Sequence, residues 1–169
     1  MIVLKPQDIF VLLKTITVKN PDWTYASLSN ELFMSASEVH SAIKRSTIAR
    51  LWDPIGKSPL KYALEEFIIH GLKYAFPANY SGVTRGVATA HAAPPLKGLI
   101  VQKDNSIFVW PDPIGQDQGM GLSPLYKTVS QATRNDNKLY EFLTLIDAIR
   151  IGSSRERKIS ITELKGKLF

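Results

Sequence analysis

The side chains best placed to do chemistry in this chain fall in one short stretch, "SASEVHSAIKR", residues 35–45. Ser35, Ser37, His40, Ser41, Lys44 and Arg45 recur on one side at helical spacing, while Val39, Ala42 and Ile43 recur on the other. Small serine side chains permit close approach to a polyanion. Lysine and arginine reach phosphates or guanine edges, and a helix N-terminus favours a phosphate. A plain helical corner with a solvated polar face would show the same residues, so the surrounding elements have to separate the two.

Those elements form a tri-helical order. Residues 6–17, "PQDIFVLLKTIT", are expected to form a first helix: Pro6 suits its first turn, Asp8 favours the positive dipole end, and Ile9, Leu12, Leu13 and Ile16 share a face. Asn20-Pro21 breaks it. A second helix is expected at about 24–33, capped by Thr24 or its neighbour, with Leu28, Leu32 and Phe33 inward. After the corner "MSA", a third helix over 37–50 would start on Ser37 as N-cap and hold Val39, Ala42 and Ile43 against the core. In a helix-turn-helix the second helix packs across the start of the third, freeing the third's outer face to enter the major groove. The corner is short, and the only acid among the outward positions is Glu38. Both points favour double-stranded DNA as the partner over a merely solvated corner.

Beyond the third helix, "LWDPIGKSP" (51–59) leaves room for a very small hairpin at most, and 60–76 reads as a strong fourth helix ended by Pro77. Residues 77 to about 137 hold most of the prolines and glycines, with two β-prone pieces, "GVTRGVATAH" and "SIFVW". Residues 138–151, "KLYEFLTLIDAIRI", return to an amphipathic helix, and a last short helix is expected from about Thr162. The expected fold is mainly α with minor β. A helix-turn-helix part with a fourth helix spans 1–76, and a loop- and strand-rich extension ending in helices, 77–169, packs on it.

Composition sets looser bounds. The chain has 169 residues, no cysteine, a formal net charge of +6 and a pI near 9.5. The absence of cysteine excludes disulfides and thiolate chemistry and fits a cytoplasmic setting. No apolar run approaches the ~18 residues of a membrane span, and the N-terminus lacks the features of a signal peptide. A basic balance favours polyanions. In linear order, however, residues 1–76 carry nine Lys and Arg against seven Asp and Glu, and residues 77–169 carry twelve against eight. Bulk charge therefore does not single out the helical part.

The stretch "YASLSNELFMSASEVHSAIKR" resembles the DNA-reading core of MarR-like and related bacterial winged-helix regulators. The shared pattern is a small-residue and leucine helix, a corner ending in Ser, and a Val-x-x-Ala-Ile helix followed by basic residues. The rest of the chain looks like a family of small bacterial helix-turn-helix proteins of unassigned role. The resemblance implies a transcriptional regulator, more specifically a repressor, acting as a homodimer on two-fold symmetric sites. The 138–151 helix is the leading candidate for the dimer interface, the alternative being that its apolar stripe is core. Where winged helices place two wing strands, only "LWDPIGKSP" stands. Arg85, in "GVTRGVATAH", could instead reach the DNA backbone from a later β-ribbon. The alternative from another class is a protein–protein adaptor, or an antitoxin-like accessory protein, binding a partner enzyme.

Other candidates carry less. His40, His70 and His91 form no ligand pair and no carboxylate cluster joins them, so no metal or cofactor is expected. His70 reads as a core or near-core histidine and His91 as structural. The glycine-rich "SGVTRG" and "GQDQGMG" match no phosphate-binding fingerprint, and no nucleophile elbow occurs, so the chain is not expected to be an enzyme. "RERK", 155–158, reads by default as a solvated charged loop, the alternatives being a phosphate clamp beside the DNA or a contact with an acidic patch on a partner protein.

Overall fold

A computed structural model of the chain describes residues 1–169. It is mainly α with minor β, with eight helices and five strands. Two compact units emerge. One comprises residues 1–64 and 125–139, the other 65–124 and 140–169.

The first unit opens with α1 (Pro6–Thr17), α2 (Tyr25–Leu32) and α3 (Ala36–Ile48), close to the expected spans. Each start has a local cause. Asp8 accepts the Lys5 amide at the head of α1, Thr24 and Ser27 form a reciprocal cap on α2, and Ser35 and Glu38 do the same for α3. Helix α1 is more deeply embedded than an amphipathic stripe requires, because Ile9, Phe10, Val11, Leu12 and Leu13 are all fully buried. Leu28, Leu32 and Val39 are fully buried and Ile43 nearly so, as the helix-turn-helix pattern demands. Phe33, expected inward, is instead exposed: it turns the corner in the left-handed conformation, φ 54°, stopping α2 so that α3 can set off in a new direction.

After α3 the chain forms the antiparallel pair β1 (Trp52–Asp53) and β2 (Ser58–Pro59), so the stretch between the third and fourth helices is a small hairpin. Asp53 Oδ1 accepts the Ile55 amide at 2.9 Å and organises its turn. A Cβ on Gly56 would stand 2.5 Å from that carboxylate, so a larger residue there would make the Asp53 side chain shift. Residues 125–139 complete this unit with α6 (Val129–Thr133). Tyr126 stacks on Phe10, Thr128 Oγ1 donates to the Leu32 carbonyl at 2.7 Å, and buried Lys14 pairs with Asp136 and Glu31. Leu32→Ala is expected to cost about 2–5 kcal/mol, since it opens a cavity where α2 meets α3 and strips apolar contact. A urea titration of the parent and variant measures it.

The second unit is built on three strands, β3 (Tyr80–Thr89), β4 (Phe108–Pro111) and β5 (Asp117–Leu122). Each pairs with the other two, closing a very small barrel. β3 runs antiparallel to both partners, and β4 runs parallel to β5. β3 and β4 lie in the two β-prone pieces. β5 lies in the glycine-rich "DQGMGL", where a Cβ on Gly119 would collide with the Ile107 carbonyl. Glycine here marks close strand approach rather than a loop.

Helix α7 (Asn137–Ile151) carries fully or nearly fully buried residues from Phe142 through Ile149. Its buried Asp147 accepts Thr89 Oγ1 and Trp110 Nε1, each at 2.7 Å, and Arg150 Nη1 at 3.1 Å. The apolar stripe of α7 is therefore core packing within this unit. The expected fourth helix is divided at Gly71 into α4 (Lys61–His70) and α5 (Leu72–Ala75). The last helix, α8 (Ser154–Leu168), starts eight residues earlier than expected, because Ser153 and Glu156 form a capping box. "RERK" is therefore the opening turns of a helix rather than a loop. Arg157 is spent on the carbonyls of Ile149 and Ile69. His70 is exposed instead of core, and His91 Nε2 lies 3.0 Å from the Ser106 carbonyl, beside Phe108. No helix is long and apolar enough to cross a membrane.

Candidate functional site

The start of α3 departs from expectation by two residues. Ser35, not Ser37, is the N-cap. Its Oγ accepts the Glu38 amide at 3.1 Å, while Glu38 Oε2 accepts the Ser35 amide at 2.9 Å. The Ser-x-x-Glu spacing that produces this exists only from Ser35; three residues after Ser37 stands His40, which cannot return the bond. The Ser35 hydroxyl is thus occupied by the cap, and Ser37 stands exposed in the first turn. Glu38, the lone acid of this stretch, is also drawn away from the outward face. Its Oε1 accepts the Tyr126 hydroxyl at 2.7 Å. That bond, then the Ser35 amide, hold the Glu38 carboxyl below the usual carboxylate range, and the same bond pushes Tyr126 up to about 12.

Lys44 and Arg45, adjacent in sequence, have different fates. Lys44 is exposed. Arg45 points the other way: Nε and Nη2 donate to Asp8 Oδ2 and Oδ1 at 2.8 and 2.6 Å, and Asp8 is fully buried. The Asp8 bonds raise the guanidinium pKa, against the pull of burial. The placement of Arg45 on the outer face is corrected accordingly, because the helical turn carries position 45 toward α1, where a buried carboxylate needs a bidentate partner. Of the remaining outward residues, His40 is exposed and Ser41 half-buried. Arg85 is exposed on β3, opposite Gln118 of β5, in the second unit.

His40 and Lys44 line an open groove of about 780 Å³. Ile43 and Thr47 of α3 line it with them, together with the α1–α2 connection from Pro21 to Thr24, Tyr25 at the head of α2, and Trp52, Pro54, Gly56 and Lys57 of the hairpin. Trp23, Tyr25, Thr47 and Lys57 have no place in the outward set inferred from α3 alone. Trp23 did carry a signal, a tryptophan set in the polar turn "KNPDW", where no core helix calls for it.

Charge also looks different once the chain is folded. The unit bearing α3 holds eleven Lys and Arg against six Asp and Glu; the other holds ten against nine. Lys127, Arg134 and Lys138, late in sequence, belong to the first unit. The basic excess of the chain is therefore concentrated on the unit that carries the groove. No protein-family model, curated protein or solved structure matches the chain.

Proposed function

We propose that this chain is a sequence-specific DNA-binding transcriptional regulator of the winged-helix, MarR-like type, a cytoplasmic repressor that reads the major groove with α3. One observation carries this: the outer face of α3, with Ser37, His40 and Lys44 exposed, sits on the unit that holds nearly all of the net positive charge. Three further features support it. Leu28, Leu32, Val39 and Ile43 anchor α3 from behind. Glu38 is tied to Ser35 and Tyr126. The hairpin β1–β2 follows α3 where a wing belongs, with exposed Ile55 and Lys57 at its tip. Lys44 is the principal cation toward the duplex, with His40, Ser41 and Ser37 beside it. A homodimer on a two-fold symmetric site goes with this function.

Lys44→Ala is expected to weaken binding to the DNA upstream of the chain's own gene and to reduce the log–log salt slope by about one, the loss of one phosphate contact. Thermal stability should stay nearly unchanged, because the position is exposed. A gel-shift or anisotropy titration over a salt series tests this, and salt-insensitive or absent binding by the parent would sink the proposal. The second reading, a protein–protein adaptor, has one observation in its favour: Val83 and Met120, cross-strand partners on β3 and β5, are exposed near exposed Tyr80.

A further inference from the structure

The groove beside α3 holds more aromatic surface than contact with paired DNA requires. Trp52, Trp23, Tyr25 and His40 form a continuous chain of rings along it, with centroids 5.9, 6.1 and 5.2 Å apart and interplanar angles of 64°, 65° and 85°. All three contacts are edge-to-face rather than parallel-stacked. Trp52 is buried and anchors the chain, Trp23 is half-buried, and Tyr25 is 40% exposed. Lys44 and Lys57, both exposed, also line the groove, on α3 and on the hairpin.

Aromatic faces beside lysines are the chemistry of base stacking combined with backbone neutralisation. In a fully paired duplex the base faces are covered by their neighbours, and only edges and phosphates remain to be touched. An aromatic wall meets such a partner only at thymine methyls and through hydroxyl-to-phosphate bonds, and its ring faces go unused. An unpaired or extruded base, by contrast, offers a free face, and the groove is large enough to take a nucleoside. We propose that this groove accommodates an unstacked base of a nucleic acid, held against Trp23 and Tyr25 while Lys44 and Lys57 meet the flanking phosphates. The inference rests on the DNA-binding function proposed above and names the form of DNA that this face prefers.

The experiment compares three probes on the full chain by fluorescence anisotropy: a paired duplex, the same duplex with one extrahelical thymine, and a short thymidylate single strand. The expected result is about tenfold tighter binding of the bulged duplex than of the paired one. That preference should disappear in Trp23→Ala or Tyr25→Ala while affinity for the paired duplex persists. Tyr25→Ala keeps the test decisive should Trp23→Ala fail to fold, since Tyr25 is exposed. Trp23→Phe, which keeps a ring, should retain part of the preference. Equal binding of bulged and paired duplex, or a preference that survives both alanine variants, overturns the base-stacking proposal and leaves the major-groove one standing. Failure of all three probes to bind overturns both.

Discussion

Arg45→Ala is expected to destabilise the fold by about 3–5 kcal/mol. Asp8 is fully buried, and its carboxylate is satisfied by the two Arg45 nitrogens and the Lys5 amide. Deleting the guanidinium leaves a buried carboxylate with one backbone donor. DNA affinity should be unaffected at temperatures where the variant remains folded. Its neighbour Lys44 should show the reverse, lost affinity with unchanged stability. Urea unfolding and anisotropy titration on the two variants separate these outcomes. Wild-type stability with weakened DNA binding in Arg45→Ala would return Arg45 to the DNA face. Replacing both partners, Asp8→Leu with Arg45→Met, should recover much of the loss, because a buried pair exchanged for apolar side chains of similar size is often close to neutral.

A comparable loss, about 3–5 kcal/mol, is expected for Asp147→Ala in the second unit. Asp147 gathers the Thr89 hydroxyl, the Trp110 indole and the Arg150 guanidinium, and all four residues have buried side chains. Truncation strands three donors at once. Arg150 keeps its bonds to the Phe76 and Pro77 carbonyls but loses its counter-charge, so the loss falls on all three donors. Asp147→Asn should cost less, because the amide oxygen can still accept one or two of the three bonds. Urea unfolding of the parent and both variants, followed by circular dichroism, measures the loss. A denaturation midpoint unchanged in Asp147→Ala would show that the network contributes no net stability.

Much of the first unit was legible because its causes are local. Apolar spacing placed α1, α2 and α3, and Asn20-Pro21 and the corner separated them, since helix starts, stops and faces depend on residues three or four positions apart. The Ser35-x-x-Glu38 box is equally local, and its three-residue spacing marks Ser35 rather than Ser37 as the cap. The anchoring set of Leu28, Leu32, Val39 and Ile43 followed from periodicity and is buried as expected. β5 was missed because its glycines serve a close strand approach, and such an approach leaves no periodic trace.

Local residue order is enough for the helical frame, the buried stripe behind α3 and the polar character of its outer side. Which outward-looking residues stay exposed depends on packing between segments far apart in the chain. Arg45 meets Asp8 across 37 positions, and Glu38 meets Tyr126 across 88. Such pairings arise when distant helices pack and a buried charge needs a partner. The same holds for charge, because residues 125–139 join the first unit and bring its basic excess together only after folding. The groove belongs wholly to tertiary structure. It needs the α1–α2 turn, α3 and the hairpin side by side, and no periodicity within one segment records the distance between three.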